Sequence, residues 1–160
     1  MMIELVKYRG FGSEYIIYDP NKYQLELTPE RIKKISYINC GGYVDGIIYG
    51  PIITENKMEF IIFNIDGTKA KLNANAARIF IKYLLDTGYE VEEEITLLCL
   101  NREIDIVKLE DYMDGLKLSI RRTKVSRSEV MSMDNSQDSI PDTIYMAGPV
   151  KQVGSIYYYN

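Results

Sequence analysis

Proton transfer, nucleophilic attack and metal ligation each need particular side chains, and this chain is short of them. Its 160 residues include no histidine. That excludes Ser-His-Asp and Cys-His catalysis, His-ligated zinc and an imidazole pH switch within the chain. There are two cysteines, Cys40 and Cys99, without C-x-x-C spacing. A disulfide scaffold is not expected, and a reducing cytoplasm is the expected compartment. Cys99 sits in a strand pattern and reads as core, while Cys40, ahead of Gly41-Gly42, reads as a structural or incidental thiol. The notable polar residues are amides and a hydroxyl set among small residues: Ser13 after Gly10-Phe11-Gly12, Asn64 before Ile65-Asp66-Gly67, and Asn73 and Asn75 alternating with Ala74 and Ala76. An amide donates and accepts hydrogen bonds but has no useful basicity near neutral pH. Each has a local reading: Asn64 forms a turn, Asn75 caps a helix, and Asn73 stands at the helix start. Arg78 is expected to pair with a carboxylate or snorkel outward, with anion binding as the alternative.

The elements that would position these residues are legible in outline. Segments 2–8 and 14–18 are rich in β-branched and aromatic residues and read as strands. The glycines between them resemble the start of a dinucleotide fingerprint. That reading fails because position 15 is Tyr and because a strand, not a helix, follows. A short helix is predicted after Thr28, with Pro29 at its first position, Glu30 at the positive end of its dipole and Ile32 and Ile35 as its apolar stripe. Strands are predicted at 46–50 and 57–63, and the Asn64–Gly67 turn predicts a hairpin between 57–63 and 68–72. The clearest helix spans 76–87, with Asn75 as N-cap and Gly88 just past its end. It is apolar around most of its circumference, so it should be buried on most sides. Further strands are predicted at 95–100, 103–108, 116–122, 143–150 and 153–159. The predicted architecture is α+β: a mixed sheet wrapped around a long central helix. The run Glu90–Glu94 reads as a solvated loop, the polar stretch 126–142 as a linker, and Tyr157-Tyr158-Tyr159 as apolar enough to need a covering surface.

Composition sets outer bounds. The chain is 46% hydrophobic and 26% charged, with a formal net charge of −4. One domain of this length buries roughly 70% of its extended-chain surface. A net acidic chain is a poor nucleic-acid binder, and the cluster Arg121, Arg122, Lys124 and Arg127 reads as a solvated edge. No apolar run approaches the ~18 residues of a membrane helix, and the first residues reach Arg9 without a signal-peptide core. Neither nucleic acid nor membrane is an expected partner.

Five segments, in order, resemble the diaminopimelate epimerase family. Lys7-Tyr8-Arg9-Gly10-Phe11-Gly12-Ser13-Glu14-Tyr15 is similar to that family's opening strand and turn. Asp45-Gly46 is similar to its Ala-Asp-Gly, and Phe63-Asn64-Ile65-Asp66-Gly67-Thr68 to its Phe-Asn-Ala-Asp-Gly-Ser. Asn73-Ala74-Asn75-Ala76-Ala77-Arg78-Ile79-Phe80 aligns with Cys-Gly-Asn-Gly-x-Arg-x-Phe, and Met146–Val150 is similar to the Thr-Gly-Pro-Ala run near the family's C-terminus. The resemblance covers about residues 2–125 and 143–155. The linker 126–142 sits where the family has its second domain. Residues 1–160 are therefore expected to form one epimerase-like domain, with core 2–125 and a C-terminal return at 143–159.

The resemblance implies a fold in which two similar domains, each a sheet around a helix, face each other across a cleft. It implies cofactor-independent inversion at an amino-acid α-carbon, with one cysteine from each domain on opposite faces of that carbon. No cofactor and no metal are expected. Such chemistry needs a base, an acid and donors around the carboxylate. Asn73 takes the place of the first-domain cysteine, Ala74 and Ala76 the places of glycines, and Ser13 that of an asparagine that contacts substrate. The ligand-binding set implied is Ser13, Asn64, Asn73, Ala74, Asn75 and Ala76, with no catalytic residue. A catalytically silent half-unit is expected, acting as a homodimer or with a heteromeric epimerase-like partner. A module binding an amino acid or small carboxylate, or a structural interaction domain, are the alternatives.

Overall fold

The computed structural model describes residues 2–38, 44–55, 57–100, 102–122 and 143–159. Eight strands and two helices follow in the order β1 (Met2–Gly10), β2 (Ser13–Tyr18), α1 (Pro29–Ile38), β3 (Gly46–Thr54), β4 (Lys57–Phe63), α2 (Ala74–Asp86), β5 (Glu94–Cys99), β6 (Arg102–Tyr112), β7 (Gly115–Arg122) and β8 (Thr143–Tyr159). The strands close into a barrel in sequence order, β8 pairing back onto β1. Two neighbouring pairs are parallel, β2 with β3 and β4 with β5; the rest are antiparallel. Each parallel step requires a crossover, and each crossover here carries one helix.

Period-2 alternation sorts the side chains into two cores. Tyr8, Tyr15, Ile17, Ile48, Phe60, Ile62, Leu97, Ile104, Ile106, Leu116, Leu118, Ile120, Met146 and Val150 cluster with α2. Residues of all eight strands thus pack with this one helix, and Ala76 to Leu84 are all buried. The opposite faces of β1, β2, β3 and β8 meet α1, where Ile3, Leu5, Ile16, Tyr18, Ile47, Ile156 and Tyr158 surround Ile32 and Ile35. Cys99 is fully buried inside the barrel.

Both helix starts follow side-chain capping. Thr28 Oγ1 accepts from the Arg31 amide at 3.2 Å. Asn73, in extended backbone (φ −137°, ψ 154°), accepts from the Ala76 amide at 2.8 Å. The N-cap of α2 is therefore Asn73 and not Asn75, because the side chain two residues earlier is the one that reaches the third helical amide. At its other end Tyr89 N–H reaches Leu84 O and Gly88 N–H reaches Leu85 O, with Gly88 at φ 85°, a left-handed Schellman stop.

Several expectations are corrected. The helix expected to be long has 13 residues, about 20 Å of rise. Residues 68–72 form no strand: the hairpin is cut down to one bridge, Phe63 with Lys69, flanked by bonds from Asn64 N–H to Thr68 O and from Ala70 N–H to Ile62 O. The two strands predicted at 143–150 and 153–159 are one strand of 17 residues. Arg78 neither meets a carboxylate nor reaches solvent; it is fully buried on backbone carbonyls. Cys40 and the linker 126–142 lie outside the described residues. No helix among the described residues is long and apolar enough to cross a membrane.

Candidate functional site

A helix start leaves its first amides without intrahelical acceptors. In α2 the first internal bond runs from Ala77 N–H to Asn73 O. Asn73 Oδ1 takes the Ala76 amide, which leaves Ala74 and Asn75 N–H beyond the reach of the helix's own acceptors. Those two amides, at the positive end of the dipole, are what an anion would meet.

The strand beside the mouth supplies its hydroxyls. Asn73 Nδ2 donates to Tyr15 Oη at 3.2 Å, and Asn75 Nδ2 donates to Ser13 Oγ at 3.1 Å. Both acceptors lie on β2, so the β1–β2 hairpin fixes both amides. The structure thus brings Ser13, Asn73, Ala74, Asn75 and Ala76 to one place. Asn64 is engaged elsewhere: its amide N–H donates to Thr68 O at 2.7 Å, its side chain to Thr68 Oγ1 at 3.0 Å, and its own carbonyl accepts from Gly67 N–H. That is turn chemistry.

The hairpin is held by charge and by a carboxylate cap. Glu14 pairs with Lys7 at 3.2 Å and with Arg9 Nε at 2.6 Å. Burial raises the Glu14 pKa, but hydrogen bonds and charge from Arg9 and Lys7 outweigh it, and the net shift is downward. Asp45 Oδ2 accepts the Glu14 amide at 2.8 Å, and Asp45 N–H returns a bond to Glu14 O. Asp45-Gly46 thus ties β2 to β3.

Arg78 is the functional-looking residue whose role the sequence did not reveal. Its side chain runs from the second turn of α2 to Pro149 O at 3.0 Å and to Gly148 O. The guanidinium lies 4.2 Å from the centroid of the Phe11 ring. Nε and Nη1 are buried without partners, and desolvation pulls the pKa below the usual arginine value. A signal did exist. Gly10 is among the residues that leave the guanidinium room, since a Cβ there would stand 3.1 Å from Nη1. Two segments that carry the family resemblance, Asn73–Phe80 and Met146–Val150, are thus joined through this side chain.

The mouth therefore offers hydrogen-bond donors, a phenol and neutral amides. Cys99 is fully buried on β5, away from solvent. Among the described residues no group of three or more His, Cys, Asp or Glu is placed to hold a metal ion.

No family model matches the sequence. Individual relatives do. Diaminopimelate epimerase 2 of Nostoc sp. is 36% identical over 96 residues, 59% of this chain and 34% of that protein. The diaminopimelate epimerase of Leptospira biflexa is 29% identical over 97 residues, 61% of this chain and 35% of the relative. That of Laribacter hongkongensis is 29% identical over 118 residues, 72% and 41% respectively. The chain thus spans little more than a third of the length of these relatives. In fold it is similar to a phenazine biosynthesis protein of the PhzF family from Enterococcus faecalis, with TM-score 0.54, 12% identity, and 82% of this chain and 50% of the other covered. Methylitaconate-delta-isomerase gives TM-score 0.53 at 15% identity, with 76% and 42% covered. By sequence over about three fifths of its length, and by fold over more, this chain is an epimerase-like domain that resembles the diaminopimelate epimerases.

Proposed function

We propose that the chain is a catalytically silent half-unit of the amino-acid epimerase type, and that the mouth of α2 holds an amino acid or small carboxylate against the amides of Ala74 and Asn75. The observation that carries this is the state of Asn73. Its oxygen caps Ala76 and its nitrogen is donated to Tyr15. Both ends of that amide are spent on holding the helix start. Neither can take a proton from carbon at neutral pH.

Inversion needs a second group on the opposite face of the carbon, and the matched residues cover only 34% and 35% of these two relatives. We place the missing wall in a second copy related by a two-fold axis, or in a heteromeric epimerase-like subunit. In the homodimer both proton-transfer positions are Asn73, so nothing inverts. A subunit with its own thiol would restore one face only.

The experiment is α-proton exchange in deuterated water over a panel of free amino acids, run beside a thermal-shift screen with the same panel. No exchange with a saturable rise in Tm for one ligand class supports the reading. Exchange catalysed by the purified chain overturns its silent half, and an unmoved Tm across the panel overturns its ligand half. That last outcome is what a purely structural domain would give, and the Asn75–Ser13 and Asn64–Thr68 bonds, which engage the expected ligand groups internally, favour it as the second reading.

A further inference from the structure

Buried charges in proteins are paired, because an isolated ion gives up its hydration and receives nothing in exchange. Arg78 departs from that rule. Its side chain is fully buried, and no Asp or Glu among the described residues pairs with it. The carbonyls of Gly148 and Pro149 both accept from Nη2. An arginine carries five N–H donors, so the N–H of Nε and the pair on Nη1 have no acceptor. The two carbonyls are neutral dipoles and leave the charge of the cation in place. A buried water would complete a hydrogen bond without neutralising it.

The walls around the guanidinium keep other side chains off it. Gly10 ends β1, and Gly148 lies in β8. A Cβ at Gly10 would stand 3.1 Å from Nη1, and one at Gly148 would stand 3.1 Å from the Phe11 ring and 3.8 Å from Nη2. The other close neighbours of the Gly10 position are Val150 and Ile79, both fully buried and apolar. A group that answers the charge here can bring one negative charge, and the rest of it must tolerate an apolar wall. A carboxylate with a short apolar tail meets both conditions, and its oxygens suit the planar donor edge of an arginine.

Phe11 closes the enclosure from outside. Its ring lies over the guanidinium, 4.2 Å from its centre, yet the residue is 50% exposed. It stands in the turn between β1 and β2, at φ 49°, followed by Gly12 at φ 80°. Rotation of this side chain uncovers the guanidinium without breaking a strand pair. We propose that Arg78 is the receptor for a small monocarboxylate, which binds the free N–H groups of its guanidinium when the Phe11 ring swings aside. This site uses neither the Ala74 nor the Asn75 amide and does not rest on the reading of the helix mouth.

The test is a titration of the full chain with sodium acetate at neutral pH, with ionic strength held constant by sodium chloride. NMR follows the side-chain N–H signals of Arg78, assigned through its own side-chain carbons, together with the Ala74 and Asn75 backbone amides. Saturable movement of the Arg78 signals supports the proposal, and because chloride is present throughout it reports a preference for carboxylate over halide. In Phe11→Ala the closed state is lost, and acetate should saturate the same signals at a concentration lower by about fivefold or more. Arg78 signals that stay in place in both proteins, as they would if water alone fills the site, overturn the proposal. So does a Phe11→Ala variant that binds no more tightly than the parent. Shifts confined to Ala74 and Asn75 also overturn it, while leaving the helix-mouth reading standing.

Discussion

Asn73 holds the helix start, and in the proposed reading it also decides the chemistry; substitution separates the two roles. Asn73→Ala removes the bond to the Ala76 amide and should cost about 1 kcal/mol of stability, read from the urea midpoint. Asn73→Asp keeps an acceptor at the cap, adds a favourable charge at the dipole's positive end, and should fall within about 0.5 kcal/mol of the parent. Asn73→Cys supplies a thiol near a helix start, where thiol pKa values fall. It should still show no α-proton exchange above the parent, because the opposite face remains without its group; exchange in this variant would show that one face suffices. Arg78 makes the contrasting case. Its planar group bonds the carbonyls of Gly148 and Pro149 together and stacks on Phe11. A lysine keeps the charge but loses the fork and the stack, so Arg78→Lys should destabilise the fold by about 2–3 kcal/mol in the same assay.

The elements show which parts of the fold the sequence carries openly. Capping of α1 by Thr28 and the burial of Ile32 and Ile35 could be read directly, because caps and stripes are local signals. The start of α2 lies two residues ahead of the position the sequence pattern favours, since Asn73 and Asn75 are both competent caps and only backbone geometry chooses between them. The single strand β8 reads as two segments for a topological reason. Residues 143–149 pair with β7 and residues 150–159 with β1, so the strand changes neighbours at Pro149, which has no N–H to offer. A sequence pattern registers that change as a break. The role of Gly46 was equally hidden: a Cβ there would stand 2.1 Å from Phe63 O, a backbone atom that the β3–β4 pairing fixes. Gly46→Ala should therefore cost about 2–3 kcal/mol, visible as a lowered urea midpoint at unchanged slope. Of the candidate site, the residues at the mouth were legible from spacing and resemblance, while the side-chain bonds that occupy them are long-range contacts that no local pattern encodes. Acid exposes the β1–β2 element. The Glu14 pKa is depressed when folded, so its contribution is complete above the unfolded value near 4.3 and is lost as pH falls through the lower folded value. Stability of Glu14→Gln should accordingly fall less than that of the parent between about pH 5 and pH 3.

At the scale of the whole molecule the closed barrel limits how the chain can be joined to anything. Every strand already has two neighbours, so no free edge among the described strands is available for strand addition. Partners must use a face or an end. The two ends differ. At the C-terminal end of α2, buried Lys82 meets Asp111 at 2.9 Å and Asp86 at 3.5 Å, and Tyr8 donates to Asp86. Close by, buried Asp19 accepts from Tyr83 and Tyr89 at 2.7 and 2.6 Å. Burial first, and then the bond to Asp19, raises the Tyr89 pKa to about 12, and the Tyr8 and Tyr83 hydroxyls are pushed higher still. These groups stabilise the fold fully below the unfolded tyrosine pKa near 10, and their contribution is lost as pH rises through the folded values. The parent should lose stability from about pH 10 upward, and Tyr83→Phe/Tyr89→Phe should flatten that decline, as urea midpoints from pH 8 to 11 would show. The polar groups of that end are paired with one another. The other end carries the two amides of α2 that the helix cannot satisfy, with Ser13 beside them. If a second copy closes it, sedimentation equilibrium should give about twice the 18.5 kDa chain mass at micromolar concentration. Ser13→Glu, which brings like charges together across a two-fold axis at this mouth, should shift the particle toward the monomer while the far end, and with it the alkaline limb, stays as in the parent. A particle of single-chain mass at every concentration would leave the mouth to a different subunit or to a ligand alone.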